Sequence, residues 1–202
     1  MKKLVFLMIA AVSALSFKPT AACYKPGDIV TDFKLKNVNG KMVSLADYTS
    51  AKGFIVVFTC NHCPVARAYE KRIEALDAKY AAKGYPVIAI CSSDPDMNPT
   101  DSYANLQKRA AGKNYTFPYL ADETQDVVRA YGARATPTVY VLQKTANGLT
   151  VQYTGAVDND EEQSDPARIN YVENAVDALL DNKTPAVTSS KAFGCRIVLK
   201  SA

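Results

Sequence analysis

Residues 54–64 read F-I-V-V-F-T-C-N-H-C-P, and most of the fold and the chemistry is written in this stretch. Phe54 to Phe58 is an unbroken apolar run rich in β-branched residues, the pattern of a strand buried on both faces. After Thr59 comes Cys60-Asn61-His62-Cys63, and beyond Pro64 the positions Val65, Tyr69, Ile73, Leu76 and Tyr80 recur at helical spacing. A strand running into Cys-x-x-Cys at the mouth of a helix puts the first sulfur, on Cys60, near unpaired backbone N–H groups and the positive end of the helix dipole, which favour a thiolate. Two thiols so spaced can close into a disulfide and reopen. His62 is the only histidine of the chain, so no Ser-His-Asp arrangement or multi-histidine metal site exists that does not run through it. The expected chemistry is thiol-disulfide exchange, with a protonated His62 stabilising the Cys60 thiolate and making the pair more oxidising.

Outward from this stretch, Gly84 closes the helix and Pro86 to Cys91 is a second buried strand, completing a β-α-β unit with parallel strands. Upstream, residues 32–38 alternate as a strand, Asn39-Gly40 is a hairpin turn and residues 41–45 return. Downstream, a helix is expected from Thr100 to Ala111 and a short strand from Phe117 to Leu120. Asp122 to Gln125 has the spacing of a capping box, opening a helix that Gly132 closes. A hairpin about Asn147-Gly148 joins strands 138–143 and 149–157. Asp165-Pro166 caps a last helix whose buried stripe is Ile169, Val172, Val176 and Leu179. The architecture is α/β, a central mixed sheet flanked by helices, with an N-terminal β-hairpin extension.

The chain has 202 residues, 48% of them apolar, enough for one domain with a full core. Residues 1–22 read as a secretory leader: Lys2-Lys3, an apolar run from Leu4 to Phe17 too short for a bilayer span of about 20 residues, then Thr20-Ala21-Ala22. Lys2, Lys3 and Lys18 are the leader's charges, so the net +4 of the whole chain falls to +1 without them, which argues against a nucleic-acid partner. The expected division is a leader over 1–22, a redox domain over 23–182 and a C-terminal tail over 183–202. Cleavage after Ala22 would make Cys23 the first mature residue, so membrane attachment through a lipidated Cys23 stands beside soluble export and a retained anchor helix. All three place the domain in the periplasm or cell envelope, where disulfides persist.

The strand-CxxC-helix unit, followed by Tyr131-Gly132-Ala133-Arg134-Ala135-Thr136-Pro137-Thr138 opening a strand, resembles the thioredoxin fold. The N-terminal hairpin resembles the extended group that includes TlpA-type oxidoreductases and peroxiredoxins. That resemblance implies a thioredoxin-like fold, a cis Pro137 against the CxxC, and Thr136 offering backbone hydrogen bonds to a substrate strand. It implies protein thiols or disulfides and a further redox protein as partners, and no cofactor. Departures are specific. Thr59 stands where thioredoxins carry tryptophan, the Phe54 to Phe58 strand holds no carboxylate, and Cys63-Pro64 resembles the peroxidatic Cys-Pro of peroxiredoxins with Cys60 in place of their threonine.

Three functions follow. The first is an exported oxidoreductase with Cys60 attacking and Cys63 resolving. The second is a thiol peroxidase with Cys63 peroxidatic and Cys60 resolving. The third is a binding module without catalysis. Zinc would need ligands beyond the pair, and only isolated cysteines remain. Cys91 ends a buried strand and reads as a packed thiol. Cys195, in F-G-C-R-I, is free, or pairs with Cys23 or Cys91, or meets the CxxC. The acidic run from Asp158 to Asp165 lacks the central glycine of a calcium loop and reads as a solvated loop.

Overall fold

The computed structural model describes residues 23–162 and 164–200, so the leader lies outside the described residues. In chain order the elements are β1 (Ile29–Val30), β2 (Lys34–Asn37), β3 (Met42–Ser44), β4 (Gly53–Phe58), α1 (Pro64–Tyr80), β5 (Val87–Cys91), α2 (Tyr103–Lys113), β6 (Tyr119–Ala121), α3 (Asp126–Tyr131), β7 (Ala135–Thr136), β8 (Thr138–Thr145), β9 (Gly148–Gly155), α4 (Tyr171–Leu180) and β10 (Cys195–Arg196). Eight of these strands form one sheet in the order β1-β9-β8-β4-β5-β6-β2-β3, and β7 pairs with β10 apart from it. The pairs β4–β5 and β5–β6 are parallel, and β4 pairs antiparallel with β8 on its other side. The sheet is therefore mixed, and the β2–β3 hairpin extends it at one edge.

The unbroken apolar run of β4 is explained by its position. All six of its residues are buried, and their side chains alternate between two cores. Ile55 and Val57 face a layer with Tyr69, Ile73 and Leu76 of α1, Leu106 of α2 and Val172, Val176 and Leu179 of α4. Phe54, Val56 and Phe58 face the opposite layer, with Val128 and Tyr131 of α3. Each such side chain contributes about 1.5–3 kcal/mol on leaving water, which is what holds the end of β4 in place for the cysteines that follow.

Three local expectations change. The helix after Asp122 begins at Asp126, with Gln125 in the left-handed region at φ 61°, so the capping box does not form. Asp122 itself accepts the N–H groups of Val127 and Val128, at 3.4 and 2.9 Å, and Gln125 turns its amide to the C-terminal segment instead. The last helix starts at Tyr171, not at Asp165-Pro166, which leaves Ile169 outside it and 44% exposed while Val172, Val176 and Leu179 are buried. The acidic run is not a solvated loop at its start. Asp158 and Asp160 are buried against Arg72, and Asp158 accepts the Tyr69 hydroxyl at 2.8 Å. Buried charge demands such partners.

The segment from Lys183 onward returns to the domain. Ser190 N–H donates to Thr154 O at 3.1 Å, and the Ser190 hydroxyl meets the Tyr153 hydroxyl at 2.7 Å. Ile197 is buried among Phe33, Phe58 and Tyr131. Gln125 holds the backbone on both sides of Leu199, through Val198 O and Lys200 N–H. The Thr136-Pro137 peptide is cis, as the resemblance implied.

Candidate functional site

At the end of β4, Thr59 N–H donates to Ile90 O at 2.8 Å, so the parallel pairing with β5 runs up to the cysteines. Cys60 is buried, and its sulfur lies 3.1 Å from the Thr136 hydroxyl. Asn61 and His62 then pass over a carboxylate that comes from elsewhere in the chain. Asp101 closes a 3-10 turn over Pro99–Asp101 just before α2. One of its oxygens accepts Asn61 N–H at 2.7 Å and His62 N–H at 3.1 Å; the other meets His62 Nδ1. The Asp101 side chain is fully buried, and that of His62 is 23% exposed. The loop is further tied by Asn61, whose side chain donates to Thr100 O at 3.0 Å and accepts the Tyr119 hydroxyl at 3.1 Å.

Cys63, not Cys60, occupies the mouth of the helix. Pro64 is the first helical residue and Cys63 is the N-cap, its sulfur accepting Ala66 N–H at 3.4 Å. The same sulfur accepts Cys195 N–H at 3.3 Å, and as a thiol it lies 3.4 Å from Thr136 O. The expectation that the first cysteine sits at the helix start is thus corrected: with proline at the first helical position, the cap falls to the second.

The two thiols are pushed apart. Cys63 is lowered by a hydrogen bond from the Cys60 thiol, with further help from the Cys195 thiol and the N–H groups of Ala66 and Cys195, against the cost of burial. Cys60 is raised by its bond to Cys63, by burial and by the Asp101 charge. Cys91 is pushed up to about 12 by burial, as a packed thiol should be.

These opposite shifts predict a pH signature. An unfolded thiol titrates at about 8.5. Below that value the unfolded chain still holds the proton that folded Cys63 has lost, so stability from Cys63 is complete above it and is lost as pH falls through the folded Cys63 value. Cys60 has the opposite sign: its contribution is complete below about 8.5 and is lost as pH rises toward its raised folded value. Urea midpoints of the reduced protein relative to the oxidised protein are expected to peak near pH ~8.5, since closing the disulfide removes both titrations. A difference that stays flat across the neutral range would remove this account of the pair.

The residues singled out from the sequence come together. Cys60, His62, Cys63 and Thr136 lie together, Pro137 follows Thr136 through the cis peptide, and Cys195 joins them rather than meeting Cys23 or Cys91. Cys23 is exposed and lies over Gly132. The backbone edge at Thr136, expected to be open for a substrate strand, is paired with β10. Asp101 was not anticipated. Cys60 Sγ, a His62 ring nitrogen and an Asp101 oxygen lie within 4.8 Å of one another, and hydrogen bonds already engage all three residues.

A family model described as "AhpC/TSA family" matches residues 26–152. A thiol-disulfide oxidoreductase, ResA of Halalkalibacterium halodurans, is 22% identical over 139 residues, covering 69% of this chain and 74% of that protein. A Mycobacterium tuberculosis protein whose name assigns it provisionally to the peroxiredoxins is 28% identical over 137 residues, covering 67% of this chain and 79% of its own. The crystal structure of an uncharacterized conserved protein from Geobacillus kaustophilus superposes with a TM-score of 0.80 at 32% identity, over 89% of this chain and 94% of that one.

Proposed function

The chain belongs to the AhpC/TSA family, and from that membership we propose that it is an exported thiol-disulfide oxidoreductase whose Cys60 and Cys63 exchange electrons with protein thiols or disulfides. The observation that carries the reading is the Cys63 sulfur at the N-cap of α1, surrounded by donors and in contact with a second thiol. A thiolate so held attacks a disulfide, and the adjacent thiol releases the mixed disulfide that results. On this geometry Cys63 is the attacking sulfur and Cys60 the resolving one, the reverse of the order expected from thioredoxins.

Thr136 lies beside both sulfurs with Pro137 following it, and a client strand reaches the Thr136 backbone only by taking the place of β10. His62 acts through Asp101, which fixes its ring and the loop between the cysteines. Export rests on the leader pattern of residues 1–22, and Cys23 would carry a lipid if the leader is of that type. Among the described residues no helix is long and apolar enough to cross a membrane.

The N-cap position of Cys63, followed by Pro64, also favours a second reading, a thiol peroxidase with Cys63 peroxidatic and Cys60 resolving. Two assays on the purified protein separate them. Reduction of a protein disulfide with a dithiol donor is expected to be catalysed, and hydrogen peroxide consumption with the same donor to be slow. Rapid peroxide turnover without protein-disulfide exchange would give the chain to the peroxidases.

A further inference from the structure

The sulfur of Cys63 has two thiols beside it, not one. Cys195 lies in β10, which pairs antiparallel with β7 so that Cys195 stands opposite Thr136 and Arg196 opposite Ala135. Ile197 N–H continues the ladder to Arg134 O at 2.9 Å. Gly194 lets the strand close in: at φ 134°, a Cβ there would meet Thr136 O at 2.0 Å. The result is that Cys195 N–H reaches Cys63 Sγ at 3.3 Å, with the Cys195 thiol also against that sulfur. The segment is pinned on both sides, by Ser190 on β9 and by buried Ile197 and Gln125, so this placement is built into the fold. The thiols also differ in access: Cys60 and Cys63 are 3% and 0% exposed, whereas Cys195 is half-buried.

We propose that Cys195 is a third redox cysteine, which exchanges with the Cys60–Cys63 disulfide to give a Cys63–Cys195 disulfide and carries the oxidising equivalent from the buried pair toward the surface. The proposal rests on the oxidoreductase reading and extends it. In the step, the Cys195 thiol gives its proton to solvent and its sulfur attacks Cys63 Sγ. The Cys63–Cys195 bond forms and the Cys60–Cys63 bond breaks. The electron pair leaves on Cys60, which takes up a proton, so nothing is oxidised or reduced overall. Burial and the nearby Asp101 charge favour that protonated Cys60 and draw the exchange forward. Burial raises the Cys195 thiol first and the Cys63 sulfur second; the second cause goes once Cys63 is in a disulfide, which eases the ionisation of Cys195 for the attack. The C-terminal strand is in effect a tethered substrate, lying along the edge where an external strand would dock.

Disulfide mapping tests it directly. Wild-type protein is partly oxidised in a glutathione buffer, quenched in acid, alkylated, and digested for mass spectrometry without reduction. Cys60–Cys63 and Cys63–Cys195 linked peptides are expected together from the monomer. Cys60–Cys63 alone overturns the proposal while leaving the oxidoreductase reading standing. No disulfide at any of the three cysteines removes that reading and the proposal with it. A Cys60→Ser variant sharpens the result: Cys63–Cys195 is expected to become the dominant pair, and a glutathione adduct on Cys63 beside a free Cys195 counts against the relay. Should that variant fail to fold, the wild-type map decides alone.

Discussion

A Cys63→Ser variant is expected to lose thiol-disulfide exchange entirely, falling to the rate of uncatalysed exchange. Cys63 is the sulfur that the fold converges on: it caps α1 and meets both Cys60 and Cys195. A serine hydroxyl cannot enter a disulfide, and the Cys60 thiol left behind keeps its burial and the nearby Asp101 charge, both of which disfavour its thiolate. Cys60→Ser is expected to behave differently. Attack on a client disulfide remains, and Cys195 is still in place to resolve the adduct, so stable client adducts are expected only when Cys60→Ser is combined with Cys195→Ser. Non-reducing gels of cells producing each variant, with the adduct site mapped by mass spectrometry, read out both variants. Adducts accumulating on Cys60 in the Cys63→Ser protein would restore the thioredoxin order of attack and overturn the assignment made from the N-cap.

The parts of this site legible in the sequence are those fixed by local pattern. Phe54 to Phe58 reads as a central strand, because so short an apolar run rich in β-branched residues suits a strand covered on both faces, and β4 is buried throughout. The hairpin at Asn39-Gly40 and the helix from Pro64 to Tyr80 follow from turn chemistry and from apolar spacing. The cis Thr136-Pro137 peptide came from resemblance, and it stands where the resemblance put it. One clue was present and pointed the other way from the thioredoxin analogy: proline is favoured at the first helical position, so Pro64 implied Cys63 as the cap.

What was not legible is what depends on distant packing. Nothing in N-P-T-D-S marks Asp101 as the acceptor for a loop some forty residues earlier. Asp122 and Gln125 fit a capping box by spacing, but tertiary demand pulled Gln125 into the left-handed region to hold the C-terminal backbone. Cys195 was one of several isolated thiols until β10 found its partner in β7, a pairing between residues about sixty apart that no periodicity records.

Asp101→Ala is expected to cost about 3 kcal/mol of stability, because Asn61 N–H, His62 N–H and the His62 ring lose a buried acceptor together, and unpaired buried donors cost about 1–3 kcal/mol each with partial relief from water near His62. Stability alone would mark any buried hydrogen-bonding residue, so the thiols give the decisive readout. Asp101 raises Cys60 through its charge, and the variant is therefore expected to lower the Cys60 thiol, followed by thiolate absorbance in a Cys63→Ser background. Asp101→Asn separates the two effects. Its amide oxygen still accepts from Asn61 and His62, so the stability loss is expected to shrink to about 1–2 kcal/mol, while the charge is gone and the Cys60 shift is expected in full. If Asp101→Asn instead leaves the Cys60 thiol where it was, Asp101 only shapes the loop, and the carboxylate has no electrostatic hold on the redox pair.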